Sequence, residues 1–260
     1  MVLEQMIDEK TAKRDPLKIF LLGAVVSIIA IFIANSVFPE STGLFSIIII
    51  TMTMIPLMNR MLHHEEAEDE KMMESYSFFQ RYGDIIVAYM SLFSGMILAM
   101  SLIFVLLPQQ LAQGVFDEQL KEINLIRGHF TFENQFLDIF VNNLSVLILA
   151  FLFSFLFGSG AIFILSWNAS VLSAAIGLVA KSAGGVTAIP AAVLMFLPHG
   201  FFEITAYLIG AIAGGLISAA FLRKKSFKFW HVAKDCALLL LVAFVLLIIG
   251  GIIETGIILF

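Results

Sequence analysis

Residues 236–260 read CALLLLVAFVLLIIGGIIETGIILF, a run of 25 residues in which Glu254 is the one side chain charged at neutral pH. An α-helix needs about 20 mostly apolar residues to cross the hydrocarbon core of a bilayer. A water-soluble fold would have to leave part of so long a run exposed. The stretch therefore predicts a transmembrane helix.

Six further segments qualify, or nearly qualify, on the same grounds. They cover residues 17–38, 43–62, 84–107, 140–166, 168–197 and 198–222. Across the 260 residues, 60% are hydrophobic and 13% are charged, which is about half the charged fraction of a typical soluble domain. The sequence predicts an all-α, polytopic transmembrane helical bundle of about seven spans.

The fifth of these segments, 168–197, is long but interrupted. Residues 181–185 read KSAGG in its middle, and Pro190 adds a second position that disfavours a continuous helix. We therefore expect a broken or re-entrant fifth segment. The sixth segment is expected to begin at Pro198, since proline fits the first turn of a helix.

Basic residues indicate the orientation, because Lys and Arg favour cytoplasmic loops. They concentrate ahead of the first span, in the connector after the second span and in 223–234. With seven crossings these places share one side, and the segment 108–138 lies on the other. We expect a multi-pass protein of the cell membrane with a cytoplasmic N-terminus and an external C-terminus. The first run is too long for a typical signal-peptide core, and we interpret it as a retained helix.

Composition also narrows the partners and cofactors. The net charge is −5, and no basic patch suggests a nucleic-acid partner. Cys236 is the single cysteine, so no intrachain disulfide can form; we interpret it as a buried, inert thiol. We expect no cofactor and no metal, because His199 and Glu203 have a zinc-compatible spacing but no evident third ligand. The expected surroundings are the lipid bilayer and other membrane proteins or a second copy of the chain.

Polar side chains inside the spans are few, and each needs a reason, since an ionisable group at the bilayer centre costs roughly 2.5–3.5 kcal/mol on insertion scales. Most of them fall in the C-terminal half. We interpret them as one intramembrane polar cluster of Asn142, Asn143, Asn168, Lys181, His199, Glu203 and Glu254.

Within this set, His199 and Glu203 are four residues apart and so share one helix face. If a helix begins at Pro198 inside the bilayer, its end resembles the broken helices with which transporters form midplane binding sites. The alternative is that the two side chains hold the bundle together by hydrogen bonds between helices. For Glu254 the alternatives are an interfacial carboxylate or a partner of Lys181 or His199.

Small residues recur every four positions on two segments. One ridge is Ala206, Gly210, Gly214 and Ser218, and the other is Ala169, Ser173 and Gly177. Such ridges let helix backbones approach closely. We expect the fifth and sixth helices to pack on each other, or one of them to pack on another subunit.

Four blocks of the sequence resemble a known family. They are NNLSVLILAFLFSFLFGSG (142–160), SWNASVLSAAIG (166–177), LPHGFFEITAYLIGAIAGG (197–215) and IIGGIIETGI (248–257). In this order they are similar to the stage II sporulation protein M family of integral membrane proteins. The resemblance covers 84–260 and implies a core of about five helices that includes the external segment 108–138. Residues 1–83 then form an N-terminal two-helix transmembrane extension with an acidic connector.

The resemblance implies a role in a membrane-anchored envelope complex, since the sporulation member takes part in peptidoglycan remodelling. Our first interpretation is a scaffold or assembly subunit of a cell-envelope complex. The alternative is a transporter or permease-like subunit with a midplane polar site at His199 and Glu203. An enzyme is not expected, because no nucleophile–base pair is evident. A cavity reaching His199 and Glu203 would favour transport, and a dry hydrogen-bonded cluster would favour a scaffold.

Overall fold

A computed structural model of the protein describes residues 15–69, 78–129, 135–158, 160–222 and 226–259. These residues form nine α-helices and two short 3-10 turns, and they contain no strand. The helices are α1 (Pro16–Val37), α2 (Thr42–Asp69), α3 (Phe78–Leu106), α4 (Gln109–Val115), α5 (Asp117–His129), α6 (Gln135–Phe157), α7 (Ala161–Ala183), α8 (Ile189–Leu222) and α9 (Ser226–Leu259). The turns are Pro39–Ser41, before α2, and Gly185–Ala188, before α8.

Seven of the described helical segments are long and apolar enough to cross a membrane. They are Pro16–Val37, Pro39–Met61, Gly83–Leu106, Gln135–Phe157, Ala161–Ala183, Gly185–Phe221 and Val232–Ile257. Much of their surface faces outward: only 28% of the span Gln135–Phe157 is buried, and Leu156 is 64% exposed. Such a surface suits lipid and not water. The chain is a multi-pass membrane protein, and the predicted all-α transmembrane bundle is confirmed.

The boundaries around the fifth span differ from the prediction. The fifth membrane-spanning helix is α7, which is continuous and begins at Ala161 instead of residue 168. The predicted break exists, but it forms the connection between α7 and α8, where Gly184 and Gly185 have φ angles of 131° and 77°. Only glycine adopts such angles without strain. The interruption predicted within 168–197 is therefore present, and it separates the fifth span from the sixth, while α7 itself is unbroken.

Pro198 does not begin a helix, contrary to the prediction. It lies inside α8, nine residues after the first helical residue, Ile189. Proline there removes one backbone hydrogen bond, which neighbouring groups in a bundle can compensate. His199 and Glu203 consequently project from the interior of one long helix and not from a helix end.

Glycines bring the N-terminal helices together. A Cβ atom on Gly23 of α1 would collide with the carbonyl oxygen of Leu92 on α3, and one on Gly95 of α3 would collide with that of Phe20. Small residues at a crossing allow this backbone approach. The first two spans thus pack in the same bundle as α3, which continues into the rest of the core.

The small-residue ridge of α8 packs against α6. A Cβ on Gly210 would collide with Leu147, and one on Gly214 would collide with the carbonyl oxygen of Phe151. Ala206 and Ser218, at the two ends of the ridge, are also buried. The ridge on α7 faces α3 instead: the Ser101 hydroxyl donates to the Ser173 carbonyl at 3.1 Å. The two ridges therefore have different partners, although α7 and α8 also touch.

Residues 109–129 of the segment 108–138 form two helices, α4 and α5. The second of them, α5, packs on the bundle, because Gln119 is fully buried and its Nε2 donates to the Ser170 hydroxyl of α7 at 3.2 Å. Ile123 of the same helix is also buried. This helix therefore forms part of the wall of the bundle.

Several sequence features fall outside the described residues. They are the basic residues before position 15, part of the acidic connector at 70–77, residues 130–134 and the basic positions 223–225. Helix α2 continues into the acidic connector as far as Asp69. The predicted membrane orientation and the division at residue 83 stay predictions.

Candidate functional site

A cavity of about 570 Å³ lies between six helices in the C-terminal half of the bundle. The walls that α3 and α5 contribute are apolar, with Phe93, Ile97, Ile123 and Ile126, and so is that of α7 apart from Asn168. The lining from α6, α8 and α9, called the polar wall below, combines apolar residues such as Ile139 and Phe196 with seven polar ones. Its polar side chains are Gln135, Asn142, Asn143, His199, Glu203, Tyr207 and Glu254.

A chain of hydrogen bonds joins α6 to α8 in the polar wall. The Tyr207 hydroxyl donates to the Oδ1 atom of Asn143 at 2.8 Å, and the Asn143 Nδ2 donates to Oε1 of Glu203 at 2.7 Å. Glu203 and Tyr207 are one helical turn apart, so one amide on α6 contacts both. Asn143 and Tyr207 are 7% and 5% exposed, and their hydrogen bonds therefore form inside the bundle.

Glu254 of α9 completes this arrangement. Its carboxyl group is a neighbour of the Glu203 carboxyl group, and both residues line the cavity. Their proximity depends on Gly250, one turn before Glu254. A Cβ at this position would lie 3.0 Å from Cγ of Glu203 and 3.5 Å from the carbonyl oxygen of His199. The missing side chain lets α9 approach α8 closely enough for the two carboxyl groups to meet.

Two polar atoms of the wall have no hydrogen-bond partner among the described residues. They are Nδ1 of His199 and Oε1 of Gln135, and both are buried. The His199 ring makes an edge contact with Phe196, with the ring centroids 6.1 Å apart. A buried polar atom without a partner costs about 1–3 kcal/mol.

Comparison with known proteins identifies the family. The sequence model described as Stage II sporulation protein M (SpoIIM) matches residues 18–257. The chain belongs to this family. The match starts within α1 and includes the first two spans, so it extends beyond the 84–260 region of the sequence resemblance. The comparison with curated proteins found no match, and the comparison with solved structures found none either.

In this SpoIIM-family protein, six of the seven polar residues selected from the sequence line the one cavity. Asn142 donates weakly to Asn143 at 3.4 Å, and Asn168 donates to the Ile164 carbonyl of its own helix at 2.8 Å. Glu254 meets Glu203, whereas the sequence suggested Lys181, His199 or the membrane interface. The cluster thus brings together four helices, α6, α7, α8 and α9.

Lys181 lies elsewhere in the SpoIIM-family bundle. Its ammonium group donates to the backbone carbonyls of Phe104, at 3.3 Å, and Leu107. It also lies 5.7 Å from the centre of the Phe104 ring. A cation at the C-terminal end of a helix is stabilised by the unpaired carbonyls there. Lys181 therefore caps α3 and does not belong to the cavity.

Sequence reasoning missed Tyr207 and Gln135 as members of the site. Tyr207 had a usable signal, because it follows Glu203 by four residues and so lies on the same face of the helix. Gln135 had none, since it precedes the apolar run and looks like an ordinary loop residue. Among the residues that the structure describes, no group of three or more His, Cys, Asp or Glu side chains could hold a metal ion.

Proposed function

We propose that this SpoIIM-family protein binds a small solute in the cavity and moves it across the bilayer, as a transporter or permease-like subunit. The observation that carries this proposal is the cavity of about 570 Å³ that Gln135, His199, Glu203 and Glu254 line together. A polar solute in this cavity would meet hydrogen-bonding side chains from α6, α8 and α9.

The size and composition of the cavity support the same function. Ligand sites usually measure about 300–1,000 Å³ and combine apolar walls with a few polar groups. The cavity lies between transmembrane helices, and intramembrane ionisable groups commonly mark the path of a substrate or ion. A bundle that only needed hydrogen bonds between helices could pack its helices more closely here.

Thiol labelling tests whether solutes reach the cavity. The background is Cys236→Ala, which removes the single native cysteine. Ala175 lines the cavity, whereas the adjacent Ala174 is 0% exposed, so Ala175→Cys and Ala174→Cys form a matched pair. A charged, membrane-impermeant methanethiosulfonate should modify the first at least about tenfold faster, because thiol reactivity follows exposure.

The labelling is carried out from each side of the membrane in turn, with unfolded protein as the control for thiol content. Reaction of Ala175→Cys from both sides supports alternating access. If Ala175→Cys reacts no faster than Ala174→Cys from either side, the cavity is closed to solutes and transport is refuted.

A scaffold is the second candidate, and the interhelical hydrogen bonds from Tyr207 through Asn143 to Glu203 favour it. Side chains in such a role stabilise the bundle and need no ligand. In this case Glu203→Gln would weaken folding or assembly while leaving any solute flux unchanged. Stable, assembled Glu203→Gln protein that has lost solute movement in liposomes would exclude the scaffold.

We also propose the orientation, the partners and the non-enzymatic character that the sequence suggests. The distribution of Lys and Arg supports a cytoplasmic N-terminus and an external C-terminus in the cell membrane. The exposed apolar faces of the helices support contact with lipid and with other membrane proteins or a second copy. Binding and translocation require no covalent chemistry, so we propose that the protein is not an enzyme.

A further inference from the structure

We propose that the cavity takes an organic cation with an apolar body, and that this cation displaces one proton from the Glu203–Glu254 pair. The inference rests on the proposed function and adds the chemical class of the solute and the ion exchanged for it. Three observations support it: the proximity of the two carboxyl groups, the charges of the residues that line the cavity, and the distribution of polar and apolar side chains among the helices that line it.

The position of the two carboxyl groups favours a shared proton. Glu203 and Glu254 line one cavity, and α8 and α9 approach each other closely at Gly250, one turn before Glu254. Two carboxylates side by side repel each other, so such pairs retain a proton between them. The pair then carries a single negative charge inside the bilayer.

Among the described residues, the cavity wall supplies neither a Lys nor an Arg side chain to balance a second negative charge, and its one basic group is the His199 imidazole. Lys181 donates to carbonyls at the end of α3 instead. The titratable groups facing the pair are His199 and Tyr207, both on α8, and the Tyr207 hydroxyl donates to Asn143. From α6 the pair meets amides, and the walls from α3, α5 and α7 contribute apolar side chains and Asn168.

A bound monocation provides the missing positive charge. When it arrives, the shared proton leaves to water, both carboxyl groups become ionised, and the net charge of the occupied site stays at one negative unit. When the cation leaves, one proton returns. No bond other than this O–H bond breaks or forms, so cation and proton exchange one for one.

The apolar wall defines the rest of the solute. Phe93 and Ile97 on α3 and Leu172 and Val179 on α7 line the same cavity as the two carboxyl groups. A small inorganic cation would leave these side chains without a partner. An amine that carries an aromatic or aliphatic body would cover them while its ammonium group binds the carboxylates. An anion of the same shape would meet two carboxyl groups and is excluded.

Three probes with one phenylethyl framework test the class of solute. They are phenethylammonium, neutral 2-phenylethanol and anionic phenylacetate, titrated calorimetrically into the purified full-length protein. We expect phenethylammonium to bind about tenfold or more tightly than 2-phenylethanol, and phenylacetate not to bind, because complementary charge discriminates between otherwise similar ligands. Repeating the titration in buffers with different ionisation enthalpies counts the protons, and about one should be released per bound cation.

Variants of the two carboxyl groups test whether they are the source of the released proton. Glu203→Gln and Glu254→Gln should each abolish proton release, whereas Asp117→Asn, which changes an exposed carboxyl group on α5, should leave both binding and proton release unaltered. Proton counting on the unmodified protein keeps the inference testable if a glutamine variant fails to fold.

The outcomes separate this inference from the proposed function. Equal binding of the three probes, preference for phenylacetate, or cation binding without proton release refutes the inference, while the cavity still binds solutes. Absence of any binding refutes it too, and rapid labelling of Ala175→Cys then leaves the proposed function standing. If Ala175→Cys also resists labelling, both fail.

Discussion

Replacing Asn143 by alanine is expected to destabilise the bundle far more than replacing its neighbour Asn142. The Asn143 amide accepts from the Tyr207 hydroxyl at 2.8 Å and donates to Glu203 at 2.7 Å. Truncation at Cβ leaves both of these buried partners without a hydrogen bond to α6. Asn142 is exposed, and its contact with Asn143 at 3.4 Å is long.

The expected magnitude follows from the number of bonds lost. Hydrogen bonds between transmembrane helices contribute about 0.6 kcal/mol on average and up to about 1.7 kcal/mol. Loss of two such bonds predicts a decrease of about 1–3 kcal/mol in the free energy of unfolding for Asn143→Ala. For Asn142→Ala we expect less than about 0.5 kcal/mol, as for most exposed positions.

Reversible unfolding in mixed micelles, followed by circular dichroism over a titration with dodecyl sulfate, measures both values. A double-mutant cycle with Tyr207→Phe isolates the Asn143–Tyr207 bond, and its coupling energy should fall at about 0.6–1.7 kcal/mol. Equal destabilisation by the two asparagine variants, or zero coupling, would refute the described geometry of the polar wall.

Three further predictions concern packing, capping and orientation. Gly214→Ala should lower the unfolding free energy by about 2 kcal/mol or prevent folding, because its Cβ collides with the Phe151 carbonyl. Gly200→Ala should be tolerated, because a Cβ there has no atom within 4 Å. Melting temperatures in detergent compare the two variants. Lys181→Met should cost about 1–2 kcal/mol by freeing the carbonyls at the end of α3, with Lys181→Arg less harmful in the same assay. Reporter fusions should place the N-terminus inside and the C-terminus outside, and activity of an externally active reporter at the N-terminus would contradict this orientation.

The number of spans could be predicted because it depends on one physical length. A helix must offer enough apolar residues to match the hydrocarbon thickness, and each of the seven runs does. The error at the fifth and sixth spans arose where a connection carries no charge. Between the end of α6 at Phe157 and the start of α7 at Ala161 the sequence reads GSG, which average hydropathy cannot detect, although Gly158 has a φ angle of 69°.

Pro198 contributed the other error about the helices. Proline usually begins or interrupts a helix in water, where the freed carbonyl is readily solvated. Inside a bundle the helix continues through it, because breaking further backbone hydrogen bonds in lipid costs more than accommodating one missing bond. Pro198 therefore predicts a helix start when only the sequence pattern is considered, although in the folded protein it lies within α8.

The sequence was sufficient to predict most of the polar residues that line the cavity, but it could not predict which of them contact each other. Each polar group inside an apolar run was noticeable because of its energetic cost. That Glu203 meets Glu254, 51 residues later, depends on the close approach of α8 and α9 at Gly250. Lys181 shows the limit of this reasoning. The energetic cost of its charge within the bundle is offset by the carbonyls of Phe104 and Leu107, and not by the polar cluster.

Carbodiimide modification tests most directly whether a carboxyl pair that holds a proton lies in a cavity within the bilayer. Dicyclohexylcarbodiimide enters membranes and reacts with protonated carboxyl groups, and mass spectrometry locates the product. We expect modification at Glu203 or Glu254 but not at both in one molecule, protection by phenethylammonium, and no reaction at the exposed Asp117. Modification at Asp117 with neither Glu203 nor Glu254 reacting, or reaction of both in the same molecule, would contradict the pair.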